Sequence, residues 1–184
     1  MKSILLSLFL VLPSLAAADE ISDALTAAQE AYADGDIQYA LDELDFARNK
    51  LLEAKTDALG AFLPAAPDGW TREVNTEMNQ GLAMMGGGVG AEATYTQDDG
   101  GKSYKITMMA DNPMVASMAA MVTNAAAMGL KVERVGRQRF MVQDNEMTGL
   151  VANRFLIQVS GADTDTMMAA LEAMDFAALS GFGQ

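Results

Sequence analysis

Apolar residues recur at helical spacing over residues 19–62, in two runs that a polar turn separates. The first run consists of Ile21, Ala24, Leu25, Ala28, Ala31 and Tyr32. The second run consists of Ile37, Ala40, Leu41, Leu44, Ala47, Leu51, Leu52, Ala58 and Leu59. Between them, Asp34-Gly35-Asp36 supplies a helix stop and a new N-cap, and Gly60 followed by Pro64 ends the second run. The pattern predicts an antiparallel helical hairpin over residues 19–62, with each run on one face of its helix.

The period of the pattern changes after a linker over residues 63–70, which contains two prolines and ends on the only Trp, Trp70. Short segments of strand-like alternation follow it. They predict strands at 91–96, 103–109, 131–135, 139–142, 147–151 and 154–159. Capping residues predict helices from Asn112-Pro113 to Gly129 and from Asp163 or Thr164 to about Leu179.

This order of elements is typical of the α+β class. Because helices pack on a face of an antiparallel sheet to bury its apolar side, we expect the two helices on one face. The predicted fold is an N-terminal antiparallel helical hairpin followed by an antiparallel sheet with two helices packed on one face. The predicted segments are a signal peptide at 1–18, the hairpin at 19–62, a linker at 63–70 and the sheet domain at 71–184.

The first eighteen residues have the layout of a secretory signal peptide. Lys2 gives a positive start, residues 4–12 form an apolar run, and Ala16-Ala17-Ala18 offers an A-x-A cleavage site. The run is too short to cross a hydrocarbon core of about 30 Å, so a retained anchor is the weaker interpretation. We expect export to the periplasm, cleavage near Ala18, and no transmembrane segment afterwards.

Composition narrows the class of function. The chain has 25 acidic and 12 basic residues and a net charge of −13, which repels nucleic acids and anionic lipids. It contains no His and no Cys, so it lacks an imidazole base, a thiolate nucleophile and the usual zinc ligands. Carboxylate pairs, Lys and Tyr remain as catalysts, but no paired acids stand in a recognisable arrangement. We therefore expect a protein that is not an enzyme and has no nucleic-acid partner.

Two stretches resemble known families. Tyr32, Gly35, Asp36, Ala40 and Ala47 match the middle of a tetratricopeptide repeat, but the resemblance covers one repeat, and one repeat cannot bury its own face. The chain from about residue 63 to 180 resembles small exported bacterial proteins of uncharacterised role, and its order of elements is similar to that of a PsbP-like domain. The segments that carry this second resemblance are Leu63-Pro64 with Pro67-Asp68-Gly69-Trp70, Asn153 to Gly161 and Ala173 to Leu179. These resemblances imply an architecture and no activity.

The methionines suggest a specific chemical hypothesis, a metal site. Met114, Met118, Met121 and Met128 fall on one face of the predicted central helix, and Met84-Met85 adjoin a run of three glycines with Met78 nearby. Thioethers select Cu(I), and an exported protein can hold copper with Met alone. The alternative is that Met fills irregular gaps in a core, which we favour for the helix. For the metal site, the candidate Cu(I) ligands are Met78, Met84 and Met85.

One concentration of basic residues offers a candidate docking patch for an anionic ligand or for the acidic hairpin. Its members are Lys131, Arg134, Arg137, Arg139 and Arg154. Charges on strand edges also protect a sheet against aggregation, and this is the interpretation we favour. Trp70 either stacks on a ligand or, more commonly after such a linker, fills the core.

We expect a non-enzymatic accessory or binding protein of the periplasm that contacts another envelope protein, with no cofactor. The alternative is a Cu(I)-binding protein of the periplasm. The sequence does not identify the ligand, the partner or the oligomeric state.

Overall fold

The structure is a computed structural model of the chain that describes residues 14–75, 78, 81–82 and 87–183, with side chains from Asp19 onward. The chain divides into two compact units, Met1–Leu52 and Glu53–Gln184. This division falls inside the second helix, earlier than the predicted end of the hairpin at residue 62.

The helical hairpin consists of α1 (Ser14–Asp34) and α2 (Ile37–Gly60), and the N-terminal unit contains α1 and the part of α2 up to Leu52. Gly35 adopts a φ of 82°, and this left-handed conformation lets the chain reverse between the helices. The Asp36 carboxylate accepts a hydrogen bond from the backbone N–H of Tyr39 at 3.1 Å and so caps α2. Alanines at helical spacing form the buried face of the pair, namely Ala24, Ala28, Ala31, Ala40 and Ala47. The predicted helical hairpin is confirmed.

The second unit contains a seven-stranded antiparallel sheet in the order β1-β2-β3-β7-β6-β5-β4. Its strands are β1 (Trp70–Asn75), β2 (Val89–Gln97), β3 (Ser103–Ala110), β4 (Lys131–Val135), β5 (Gln138–Gln143), β6 (Glu146–Val151) and β7 (Phe155–Ser160). After β3 the chain crosses to the far edge of the sheet. It then returns strand by strand until β7 pairs with β3, with Met108 opposite Ile157.

The helices that pack on the sheet after β3 are α3 (Pro113–Asn124), α4 (Thr164–Glu172) and α5 (Phe176–Ser180). The segment of α4 and α5 lies on the face that carries Phe140 and Phe155, since the Phe140 ring contacts Phe176 and the Phe155 ring contacts Phe182. The predicted last helix, present as α4 and α5, thus packs on one face of the sheet, and the predicted α+β class is confirmed.

Helix α3 packs through Val115 and Val122 against Met109 and Leu156. These two strand residues are opposite each other in β3 and β7, and they alternate with Met108 and Ile157 along the strands. Because successive side chains on a strand point to opposite faces, α3 lies over the face that α4 and α5 leave open.

Several elements differ from the sequence-based prediction. Strand β1 was not predicted, because its largely exposed residues show almost no alternation of apolar and polar positions. The predicted last helix is two helices, because the Asp175 side chain accepts a hydrogen bond from the Ala178 N–H and begins α5 anew. The central helix ends at Asn124 and a turn leads to Gly129.

Among the described residues, none of the helices has a stretch long and apolar enough to span a membrane.

Candidate functional site

Met78, the first of the candidate copper ligands, is half-buried against an apolar cluster. The cluster consists of Leu82, Met109, Val115, Val122 and Leu156. A Cβ atom built on Gly90 would lie only 2.8 Å from the Met78 sulfur, so this thioether is packed directly on strand β2. Met84 and Met85 lie outside the described residues.

The methionines of the central helix divide into two groups. Met114 and Met118 pack against the cluster that Met78 contacts, as the gap-filling interpretation predicts for these two side chains. Met121 is half-buried. Met128 is 61% exposed and lies beyond the end of α3, so it is not part of the predicted face.

The basic residues do not form one open patch. Arg134 and Arg139 are exposed and directly opposite each other on β4 and β5, and Arg137 is exposed in the turn between them. Lys131 forms an ion pair with Glu133 at 3.0 Å. Arg154 donates hydrogen bonds to Asp111, so its charge is compensated and it is not an open member of the predicted patch.

A cavity of about 490 Å³ lies on the same side of the sheet as α4. Its lining residues are Pro64, Ala65, Pro67, Trp70, Tyr104, Thr166, Ala169, Ala170 and Ala173. We call it the aromatic cavity, because Trp70 and Tyr104 form its base with their ring centres 5.1 Å apart. Tyr104 in turn stacks on Tyr95 at 4.6 Å with the rings 10° from parallel. The three rings come from β1, β2 and β3, where the register places Tyr95 opposite Tyr104.

Hydrogen bonds fix the proline segment that forms one wall of the aromatic cavity. The Tyr95 hydroxyl donates to the Pro64 carbonyl at 2.7 Å, and the Arg72 guanidinium donates to the same oxygen at 3.1 Å and to the Leu63 carbonyl at 3.0 Å. A segment that contains Pro has few backbone donors of its own, so these side chains hold it against the sheet. Burial raises the pKa of Tyr95 to about 12 and raises the pKa of Tyr104 as well, so both phenols are neutral at physiological pH.

The opposite wall is the helix α4, which presents Thr166 and three alanines to the aromatic cavity. The Asp163 carboxylate begins this helix by accepting a hydrogen bond from the Thr166 N–H at 2.9 Å. That bond, together with the ion pair to Lys102 at 3.0 Å, holds the pKa of Asp163 well below its usual range. Because alanine side chains are short, the helix can lie beside the rings and still leave an open space between them.

The lining of the aromatic cavity favours binding over catalysis. Its described side chains are aromatic, aliphatic or hydroxyl-bearing, and none of them is an acid, a base or an amide. Small-molecule sites in proteins typically measure about 300–1,000 Å³ and are lined in this way, with a few polar groups that orient the ligand. The polar side-chain groups of the lining residues are the hydroxyls of Tyr104 and Thr166 and the indole N–H of Trp70.

Only one feature of the sequence pointed to the aromatic cavity, and that was Trp70 at the end of the proline-rich linker. The favoured interpretation placed this ring in the core, whereas the structure leaves it half-buried in the lining of the aromatic cavity. Comparison of the chain with models of protein families, with curated proteins and with solved structures found no match. The resemblances to a tetratricopeptide hairpin and a PsbP-like domain therefore stay predictions, and function has to be inferred from the sites themselves.

Proposed function

We propose that the protein is a non-enzymatic binding protein of the periplasm that takes a neutral, largely apolar small molecule into the aromatic cavity. The observation that carries the proposal is a cavity of ligand size, about 490 Å³, whose base is a pair of rings with centres 5.1 Å apart. The signal-peptide layout of residues 1–18 supports export, and the absence of His and Cys supports a binding role.

The chemistry of the walls supports this choice of ligand. A charged ligand would lose its hydration in a cavity whose lining offers no countercharge, which is costly. An anion would also be repelled by a chain with a net charge of −13. A neutral molecule with a planar ring can stack on Trp70 or Tyr104 and accept a hydrogen bond from the Tyr104 hydroxyl, since the Thr166 hydroxyl donates to Asp163.

Trp70 makes a direct test available, because it is the only Trp in the chain and lies in the aromatic cavity. We would titrate the purified protein with N-phenyl-1-naphthylamine, an uncharged aromatic probe, and follow both the Trp70 emission and the probe emission. The proposal predicts saturable quenching of Trp70. The absence of any change in Trp70 emission would overturn it.

A matched pair of variants locates the binding. Ala169→Leu puts a larger side chain on the wall of the aromatic cavity and should weaken probe binding by about tenfold. Ala120→Leu makes the same exchange at an exposed position of α3 and should leave binding unchanged. Equal effects of the two variants would place the probe elsewhere and count against the cavity.

Export and the lack of catalysis have their own tests. Recovery of the protein in the periplasmic fraction with an N-terminus near Asp19 would support export, and recovery from the cytosol with Met1 retained would contradict it. A broad screen for esterase, phosphatase and glycosidase activity should give no turnover by the purified protein.

The second candidate function is Cu(I) binding through thioethers. Its candidate ligands are Met78, Met84 and Met85, and Met78 packs against a cluster that contains a second thioether, Met109. Titration with Cu(I) under reducing conditions would give a stoichiometric complex if this function is correct. Replacing Met84 and Met85 by Leu would abolish that complex, whereas affinity no better than that of free methionine would eliminate the candidate.

A further inference from the structure

The helical hairpin carries a groove that its own helices do not fill. The groove has a volume of about 450 Å³, and its lining residues are Leu25, Ala28, Gln29, Tyr32, Ile37, Ala40, Leu41 and Leu44. We call it the hairpin groove. The buried Ala28 and Ala40 form its base, and the large apolar side chains form its walls. Leu41 is 52% exposed and Tyr32 is 71% exposed.

These walls remain exposed because alanines make the contact between the two helices. Short side chains let α1 and α2 approach closely, and the larger residues beside them then point away from the interface. A single exposed Leu is ordinary in a protein, but five large apolar residues around one groove are typical of an interaction surface.

The charge around the hairpin groove indicates what kind of molecule can enter it. Residues 19–52 contain nine acidic and two basic residues, a net charge of −7. One of the two bases, Lys50, is paired with Glu20 at 3.1 Å. The acids closest in sequence to the groove residues are Asp23, Glu30, Asp34, Asp36, Asp42, Glu43 and Asp45. A second copy of the chain would bring the same charge to the contact and be repelled, whereas a basic partner would be attracted.

We infer that the hairpin groove binds an amphipathic helix of another protein, with apolar residues facing the groove and Lys or Arg on its flanks. Leu25 to Tyr32 extends about 10 Å along α1, the length of two helical turns. A helix of this kind would present apolar side chains at positions i, i+3 or i+4 and i+7, and would complete a three-helix contact. This surface lies in the N-terminal unit, so the inference is independent of the small molecule proposed for the aromatic cavity.

Three synthetic peptides of about 14 residues, labelled for fluorescence anisotropy, test this inference on the purified protein. The first has Leu at helical spacing and Lys at the other positions. The second replaces every Lys by Glu. The third has the composition of the first with the Leu positions scrambled, so it keeps the charge and loses the apolar face.

The first peptide should bind saturably and about tenfold or more tightly than the other two. Raising the salt concentration from about 50 to about 500 mM should weaken this binding without abolishing it, because salt screens the charges and leaves the apolar contact. If the glutamate peptide or the scrambled peptide binds as well as the first, the inference is wrong.

Two leucines of α2 provide a matched pair of variants, since Leu41 and Leu51 are both 52% exposed and only Leu41 lines the hairpin groove. Leu41→Gln should weaken binding of the first peptide by about tenfold, and Leu51→Gln by less than about twofold. Leu25→Gln repeats the test on α1, and helical circular dichroism checks that each variant is folded.

Equal effects of Leu41→Gln and Leu51→Gln would overturn the inference. So would a dimer of the chain, seen by sedimentation velocity, that Leu41→Gln dissociates, because the occupant would then be a second copy.

Discussion

The carboxylate of Asp111 accepts two hydrogen bonds from the guanidinium of Arg154, from Nε to Oδ1 at 2.8 Å and from Nη2 to Oδ2 at 2.8 Å. Lys55 donates to the same carboxylate at 2.8 Å, and the remaining arm of Arg154 donates to the Phe182 carbonyl at 2.6 Å. Asp111 has a φ of 56°, a left-handed conformation that Asp tolerates better than most residues. One ion pair therefore connects the end of β3, the turn before β7 and the C-terminal segment.

Asp111→Asn should make the protein less stable by about 1–2 kcal/mol near neutral pH. This loss is smaller than for a buried ion pair, because the carboxylate is partly exposed and solvent screens its charge. Hydrogen bonds from Arg154 hold the pKa of Asp111 well below its usual range. The ionised group thus adds stability above about pH 4, the pKa of an unfolded Asp, and this contribution is lost as the pH falls. Urea unfolding of both proteins at several pH values measures the difference, which should shrink towards about pH 2.

Asp144→Asn is the matched control for that measurement. Asp144 is exposed and has a φ of 51°, so it shares the backbone conformation of Asp111. The structure gives no ion pair for Asp144 among the residues it describes. The control should change the free energy of unfolding by less than about 0.5 kcal/mol at every pH, and an effect equal to that of Asp111→Asn would contradict the role of the ion pair.

Tyr95→Phe removes the hydroxyl that donates to the Pro64 carbonyl at 2.7 Å. We expect a loss of about 1 kcal/mol in the free energy of unfolding, because Arg72 still donates to the same carbonyl. Tyr32→Phe is the control, since Tyr32 is 71% exposed and should give no measurable change. Chemical denaturation of the two variants compares them, and equal destabilisation would show that the Pro64 contact is unimportant.

Alkaline titration should separate the buried from the exposed tyrosines. Burial raises the pKa of Tyr95 to about 12 and also raises the pKa of Tyr104. The neutral phenols therefore stabilise the fold fully below about pH 10, the pKa of an unfolded Tyr, and this stability is lost as the pH rises towards 12. Tyrosinate absorbance and circular dichroism, followed together, should show the last ionisations coinciding with unfolding; complete ionisation of a folded chain would be inconsistent with this.

Gly149→Ala tests the tightest contact in the sheet. A Cβ atom at position 149 would lie 2.5 Å from the Phe140 ring and 3.0 Å from the Arg139 carbonyl oxygen, so the ring or the backbone must move. We expect a loss of about 1–3 kcal/mol in the free energy of unfolding. Adding Phe140→Leu should recover part of that loss in a double-mutant cycle.

Gly60→Ala makes the same exchange where there is room, since its nearest neighbour would be the Ala91 Cβ at 3.9 Å. This variant should be neutral or slightly stabilising because alanine favours a helix. A similar loss in both variants would mean that crowding against Phe140 is not the cause.

The elements with a regular period were predictable, and the differences have local physical reasons. The helical hairpin and six strands could be predicted because their signals, the spacing of apolar residues and the capping residues, lie within a few positions of each other. Strand β1 shows little alternation because it lies at an edge of the sheet with its residues largely exposed. Ile37, Leu41 and Leu51 were placed on a helix face by their period, yet alanines occupy the buried positions and these larger residues are half exposed.

The sites were harder to predict than the elements. Arg154 was grouped with basic residues close to it in sequence, but its partner Asp111 is 43 residues away and only the strand order brings the two together. The rings of the aromatic cavity also come from separate strands, and a sequence pattern does not show which residues of these strands lie opposite each other. Residue spacing can indicate which side chains share an element, and it cannot indicate which elements become neighbours.

The pairing of β3 with β7 has a consequence for how the molecule is assembled. These strands are neighbours in the middle of the sheet, with Lys105 opposite Ser160, although residues 111–154 separate them in the chain. A ribosome has to deliver the residues of β7 before the two halves of the sheet can join, and contacts between distant residues slow folding. The two halves therefore stay unjoined until β7 has been synthesised, and a truncation before residue 155 leaves β3 with an unpaired edge.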